Sequence, residues 1–135
     1  MSIVNPQTAL VSLSDKSNLN HIIDFLVKKK IKILSTGGTY NEIKKITDNV
    51  VEVSEFTGFD EMMDGRVKTL HPKIHAGILA RRDSDLELLK EKGYETIDLV
   101  IVNLYPFEET IKKDCSFEDA IENIDIGGPT MIRAA

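Results

Sequence analysis

The chain has no tryptophan, a single cysteine, four prolines and only 6% aromatic residues. With Cys115 alone, no intrachain disulfide and no cysteine-based zinc site can form, and a reducing compartment is the fitting one. Long hydrophobic runs are missing too. The longest, such as Leu99-Val100-Ile101-Val102, fall far short of the ~20 residues a membrane span needs. The N-terminus lacks the basic-then-apolar pattern of a signal peptide. A cytoplasmic protein with no membrane partner is the expectation. Excess positive charge is also absent: a net charge of −5 argues against a general nucleic-acid binder. No metal is expected either. His71 and His75 would share a helix face, but no glutamate lies between them as in the zinc-peptidase signature, and Pro72 disturbs the turn.

What is present is a chain of 135 residues, 41% of them apolar, enough for one core and one domain. Ala9 to Leu13 reads as a buried strand, and Ser14-Asp15-Lys16-Ser17 can cap the helix carrying Leu19, Ile22, Ile23, Leu26 and Val27. Ile31 to Leu34 reads as a second strand, Tyr40 to Ile46 as a short helix, and Val50 to Val53 as a third strand. Ser84-Asp85-Leu86-Glu87 and Ser116-Phe117-Glu118-Asp119 both have capping-box spacing, which predicts helix starts near the two serines. Ile97 to Val102 lies between them as the next strand. Strands alternating with helices predict an α/β fold, a mostly parallel sheet covered by helices on both faces, with ligands at the carboxyl ends of the strands. The stretch from Ser54 to Leu79 breaks that rhythm and reads as a functional excursion.

Four constellations carry chemistry. Ser35-Thr36-Gly37-Gly38-Thr39 follows the second strand and precedes a helix, where glycines let backbone amides approach a phosphate and hydroxyls add donors. Ser14, Asp15 and Lys16 open on the same edge of the sheet. Between Gly65 and Arg82 there is no acidic residue, while Arg66, Lys68, Lys73, Arg81 and Arg82 supply five positive charges. The alternative for that run is an ordinary solvated face. Tyr105, in Asn103-Leu104-Tyr105-Pro106-Phe107, can donate a hydrogen bond or relay a proton, or simply pack before Pro106. Asp125-Ile126-Gly127-Gly128-Pro129 leads into a helix whose first position suits proline, with amides for an oxyanion and a carboxylate beside them. Asp125 as a simple residue before a helix is the alternative.

Taken together, Ser12 to Lys16, Ser35 to Thr39, Gly65 to Pro72, His75 to Arg81, Asn103 to Phe107 and Asp125 to Ala135 closely resemble the IMP cyclohydrolase domain, the N-terminal part of the bifunctional AICAR transformylase/IMP cyclohydrolases. The resemblance runs along essentially the whole chain in order. It implies a fold like that of methylglyoxal synthase, and a reaction that closes the 5-formamido-AICAR ribotide to IMP with loss of water, without metal or cofactor. It implies a 5′-phosphate held by Ser14, Lys16, Thr36, Gly37, Gly38 and Thr39, with Arg66, Val67, Thr69 and Asn103 as further ligand-binding positions. It also implies that Lys68 and Tyr105 serve the formyl oxygen, that Asp125 handles the amide proton, and that the amides near Ile126 and Gly127 support the developing charge. The implied partners are the small ribonucleotide and a second copy in a homodimer. The family's further catalytic lysine follows the Arg133-Ala134-Ala135 run, where this sequence stops, so residues 1–135 are expected to be a truncated domain. The transformylase domain, which uses 10-formyltetrahydrofolate, is absent from it.

Two other functions are compatible with parts of the pattern. A regulatory module binding a phosphorylated metabolite without converting it needs only the phosphate loops. A methylglyoxal synthase would need a paired-aspartate motif that the chain lacks.

Overall fold

Strand β1 (Thr8–Ser12) runs parallel to both of its neighbours, β2 (Lys32–Ser35) and β4 (Leu99–Val102), and β2 pairs in parallel with β3 (Val50–Glu52). The sheet order is therefore β3-β2-β1-β4. The computed structural model describes residues 3–135, so the first two residues of the expected domain lie outside the described ones. The register places Leu10 beside Leu34 and Val100, and Val11 beside Ser35 and Ile101. Because side chains alternate across a strand, Ala9, Val11 and Ile33 face one side of the sheet and Leu10 and Leu34 the other.

Each side is covered by helices. Helices α1 (Leu19–Lys28) and α2 (Gly37–Lys44) bring Leu19, Ile23, Leu26 and Ile43 to the first side. Helices α3 (Val53–Thr57), α4 (Pro72–Leu79) and α8 (Gly127–Ala134) bring Val53, Phe56, Ile74 and Met131 to the second. Burying each such aliphatic side chain contributes about 1.5–3 kcal/mol, so the two clusters hold the layers together. Helices α5 (Leu86–Glu91), α6 (Phe107–Lys112) and α7 (Phe117–Glu122) are short, and α6 and α7 bury no residue.

Several expected boundaries move. The Gly37-Gly38 pair is the first turn of α2, not a loop before it, because Thr36 already holds the extended capping conformation. Val53 starts α3 rather than ending β3, and Ile97 precedes β4. Val27 of α1 points to solvent, leaving a narrower buried stripe of Leu19, Ile23 and Leu26. The capping box at Ser116 forms, with Ser116 and Asp119 bonded reciprocally. At Ser84 it does not. Asp85 occupies the cap position and is drawn instead to Arg81, whose Nε lies 3.0 Å from Asp85 Oδ2. Pro129 is the third residue of α8, not the first. No helix among the described residues is long and apolar enough to cross a membrane.

Candidate active site

All four strands point their carboxyl ends at one edge of the sheet, and the chemistry-bearing segments emerge there. After β1 the chain turns sharply, and Asn103, just past β4, stabilises the turn. Its Oδ1 accepts from the amides of Ser14 (2.6 Å) and Asp15 (3.2 Å), and its Nδ2 donates to the Asp15 carbonyl (2.8 Å). Asp15 is itself used locally: it accepts from the Ser17 amide, and that bond with the Ser17 hydroxyl holds its carboxyl below the ordinary value. Lys16 folds back, its Nζ donating to the Ser14 carbonyl at 3.3 Å.

After β2, Ser35 and Thr39 lock the turn. Ser35 Oγ donates to the Val11 carbonyl at 2.7 Å, and Thr39 Oγ1 accepts from the Leu13 amide (3.0 Å) while donating to the Leu13 carbonyl (2.9 Å). Thr36 makes no capping bond with its side chain, so its hydroxyl is left for the cavity. The first amides of α2 have no intrahelical acceptors and carry the positive end of the helix dipole. Two lysines flank them. A Cβ on Gly37, whose φ is +57°, would lie 3.2 Å from Lys68 Nζ, and one on Gly38 would lie 3.9 Å from Lys16 Nζ. Glycine at 37 is favoured by its left-handed backbone, and its missing side chain leaves the Lys68 ammonium its place beside the helix start.

Lys68 arrives on the segment before α4. Met62 and Val67 exchange two backbone bonds, and the chain between them turns through Met63 (φ 55°), Asp64 (φ 56°) and Gly65 (φ 82°). Positive φ at two consecutive non-glycine residues costs of order 1–3 kcal/mol each and marks a segment held by its surroundings. Thr69, almost fully buried, abuts the start of α8: a Cβ on Gly127 would come within 2.7 Å of its Oγ1. There Asp125 acts as a cap, Oδ1 accepting from the Gly128 amide (3.0 Å) and Oδ2 from the Tyr105 amide (3.2 Å). Desolvation, with the charges of Asp125 and Glu122, raises the Tyr105 phenol above its ordinary value, so it is a proton donor at neutral pH.

These elements enclose a cavity of about 700 Å³. Ser14, Lys16, Thr36, Gly38, Thr39, Arg66, Lys68, Thr69, Asn103, Tyr105, Asp125, Ile126 and Gly127 line it, as the sequence placed them. Asp15, Gly37 and Val67 stand outside the lining, the first two in the turns that shape it and Val67 in the backbone pair with Met62. Sequence reasoning missed the acidic side of the wall, Asp64, Glu118 and Glu122. Glu118 and Glu122 stand one helical turn apart on α7, a spacing visible in the sequence once that helix is known to reach the cavity.

The acid-free segment does not form a continuous basic face. Arg81 pairs with Asp85 and Arg82 with Asp98, Lys73 Nζ donates to the Phe56 carbonyl and lies over the Phe56 ring, and only Arg66 and Lys68 of the five reach the cavity. Carboxylates just outside the segment, Asp85 and Asp98, neutralise the two arginines, and Lys73 is taken up by Phe56. The two histidines form no metal site: His71 caps α4 through Nδ1, which accepts from the Lys73 amide, and no metal-binding cluster occurs among the described residues.

Fold and site together define an α/β domain with a parallel sheet and a dipolar cavity, cationic at the start of α2 and acidic along α7 and α8. The MGS-like domain family matches residues 18–130, and the chain belongs to that family. It is 58% identical over 129 residues to the bifunctional purine biosynthesis protein PurH of Fusobacterium nucleatum and 57% identical to that of Clostridium acetobutylicum. In each case 94% of this chain is covered, but the chain spans only 26% of the relative's length, corresponding to its N-terminal part. Among solved structures, the crystal structure of ForH superposes with a TM-score of 0.78 at 34% identity, covering 96% of this chain and 67% of that one.

Proposed function

We propose that the domain works in purine biosynthesis as the IMP cyclohydrolase part of a bifunctional enzyme, closing the ring of the 5-formamido-imidazole-4-carboxamide ribotide to IMP with loss of water. The observation that carries this reading is a single cavity joining a phosphate-type helix start, flanked by Lys16 and Lys68, to a protonated phenol and a carboxylate. The high identity to bifunctional purine biosynthesis proteins supports it.

In this reading the ribotide's 5′-phosphate sits on the first amides of α2, with the Thr36 hydroxyl and Lys16 beside it. The carboxamide nitrogen then attacks the formyl carbon, losing a proton as the carbonyl oxygen gains one. Tyr105 supplies the hydrogen bond to that oxygen, Lys68 adds positive charge, and Asp125 accepts toward the amide nitrogen. The amides at Ile126 and Gly127 support the intermediate, each such donor contributing roughly 3 kcal/mol where water is excluded. That attack closes the ring; the hydroxyl then leaves as water, the C–O bond and an adjacent ring N–H bond breaking as the C=N bond forms, and no metal or cofactor enters. In the whole bifunctional enzyme 10-formyltetrahydrofolate serves the separate formyl transfer. Phe107, Ile111 and Phe117, exposed on α6 and α7, are the apolar side chains against which we place a second copy in a homodimer.

The test is calorimetric titration with IMP, followed by ultraviolet measurement of IMP formation from the formylated ribotide, in this chain and in one extended by several dozen residues as its relatives are. Lys68→Ala is expected to abolish turnover in the extended protein, and Thr36→Ala to weaken binding with turnover at saturation retained. A chain that does not bind IMP overturns the reading. Binding with no turnover in the extended protein establishes instead the regulatory module that holds a phosphorylated metabolite unchanged.

A further inference from the structure

Across the mouth of the cavity, the Nε of Arg66 faces both carboxylate oxygens of Glu122, at 3.4 Å from Oε1 and 3.3 Å from Oε2. Its Nη2 lies 3.7 Å from Asp64 Oδ2. Arg66 belongs to the strained turn between Met62 and Val67, and Glu122 closes α7, so the pair joins two elements 56 positions apart in the chain. Little else joins the two elements there: α7 buries no side chain, and the turn is held by the two bonds between Met62 and Val67 and by the Arg66 amide, which donates to the Met63 carbonyl at 3.2 Å.

The carboxylates on the wall are not equivalent. Asp125 accepts one backbone amide on each oxygen, from Gly128 and from Tyr105, which fixes its orientation and leaves further acceptor sites for the substrate, whereas the hydrogen-bonding partner of the Glu122 side chain among the described residues is Arg66. Arg66 also has a competing destination. A Cβ on Gly65 would lie 3.5 Å from the same Lys68 Nζ that reaches to 3.2 Å from the corresponding point on Gly37. The residue after Gly65 is thus within a guanidinium's reach of the start of α2, where a bound phosphate would attract it. Left unpaired, Arg66 would become a third phosphate cation and the acidic side of the cavity would lose its guanidinium donor. Glu122 faces Tyr105 as well, since its charge helps to raise that phenol.

Resting on the ring-closure reading of this cavity, we propose that Glu122 is a positioning residue: it holds the Arg66 guanidinium at the end remote from α2, so that Arg66 meets the heterocycle of the bound ribonucleotide and not its phosphate. Glu122 thereby sets selectivity for a complete nucleotide over a bare sugar phosphate. It touches no reacting atom.

The experiment is calorimetric titration of the 135-residue chain with IMP and, separately, with ribose 5-phosphate, which presents the phosphate alone. Glu122→Gln keeps the shape and removes the charge. It is expected to weaken IMP about tenfold, in keeping with a coupled charged pair, while ribose 5-phosphate binds as tightly as before or tighter. Glu122→Asp restores most of the IMP affinity, and Arg66→Gln combined with Glu122→Gln is no worse than Arg66→Gln alone. Undiminished IMP binding by Glu122→Gln overturns the proposal, as does an equal loss for both ligands, which marks a merely structural role, or an additive double variant. Should Glu122→Gln loosen α7 and lower the melting temperature, the Glu122→Asp and Arg66→Gln arms still decide the matter. Failure of the unsubstituted chain to bind IMP defeats the ring-closure reading and this proposal with it; failure of the Glu122 variants alone defeats only the latter.

Discussion

Thr39 shows how a residue type that suits a ligand can be used by the fold. Its hydroxyl replaces a missing backbone partner for both the amide and the carbonyl of Leu13, with 4% of the residue exposed. Thr39→Val keeps the volume and orphans two buried polar groups, each costing about 1–3 kcal/mol, so stability in urea is expected to fall by ~2–4 kcal/mol. A large loss of IMP affinity with unchanged stability would assign the hydroxyl to the ligand instead. Tyr105 is the opposite case, a side chain whose phenol has no hydrogen-bond partner among the described residues and is raised by desolvation and by the carboxylates of Asp125 and Glu122. The alkaline absorbance change lost in Tyr105→Phe is expected to titrate above pH 10, and Asp125→Asn to move it downward. A Tyr105 transition at or below the ordinary phenol value would show that desolvation and the two carboxylates do not act on the phenol as described. The residue types at the site were legible in the sequence, because strand ends followed by Gly, Ser and Thr mark the ligand edge of a parallel sheet. Which hydroxyl is free, Thr36, and which are consumed, Ser35 and Thr39, was not, since that depends on Val11 and Leu13 across the sheet.

At the scale of elements, apolar runs located the four described strands, helical spacing α1, capping-box spacing the starts of α5 and α7, and the Asp125 to Pro129 run α8, while α2 was read without its first turn and residues 54–79 without their division into α3, a strained turn and α4. Local propensity disfavours a helix beginning with two glycines, and tertiary contact overrides it: the capping conformation of Thr36 and the lysines at Gly37 and Gly38 make that start the useful one. Likewise the acid-free run looked cationic because its counter-charges, Asp85 and Asp98, lie outside it. Helix α4 is fixed by another small residue. A Cβ on Gly77 would stand 2.7 Å from the Glu95 carbonyl oxygen and 3.2 Å from Ile97 Cγ1, while the Gly77 carbonyl accepts from the Ile97 amide at 2.9 Å. Gly77→Ala must push α4 away from the segment leading into β4 and is expected to destabilise by about 1–3 kcal/mol, as overpacking does. Gly93→Ala is the control: its φ is +67° with nothing within 4 Å, so it bears only the left-handed backbone cost of roughly 1 kcal/mol. If Gly77→Ala unfolds no earlier in urea than Gly93→Ala, the close packing of α4 on this segment is not a determinant of stability.

The molecule as a whole divides its labour between the two edges of the sheet. The carboxyl edge carries the cavity, with its strained turn and its thinly packed α6 and α7. The amino edge carries a clamp centred on Asp98, whose side chain is 5% exposed. Oδ2 accepts from the amides of Gln7 (2.9 Å) and Thr8 (3.1 Å), and Oδ1 from Arg82 Nη2 (2.9 Å), while the Asp98 amide donates to the Thr8 carbonyl. Arg82 also donates to the Ala80 and Ile97 carbonyls, so one ion pair ties β1, the end of α4 and the approach to β4 together. Burial works to raise the Asp98 carboxyl, but the Gln7 and Thr8 amides, Arg82 and Thr96 outweigh it and hold it below its ordinary value. A carboxyl lowered in the folded state binds protons more readily when unfolded. Its contribution to stability is therefore complete above pH ~4, the usual aspartate range, and is lost as pH falls through the folded-state value. Melting temperatures measured from pH 7 down to pH 3 should drop steeply below pH 4 in the unsubstituted chain. Asp98→Asn, which keeps the amide bonds but strands Arg82, should be less stable by about 2 kcal/mol at pH 7, below the loss for a fully buried pair because Arg82 is partly solvated. Its acid dependence should be shallower, and the gap between the two curves should narrow as the pH falls below 4. Parallel curves at all pH values would mean that the clamp is held by packing rather than by the ionised carboxylate. IMP affinity of Asp98→Asn at pH 7 should equal that of the unsubstituted chain, because the whole sheet separates Asp98 from the cavity at the other ends of β1 and β4.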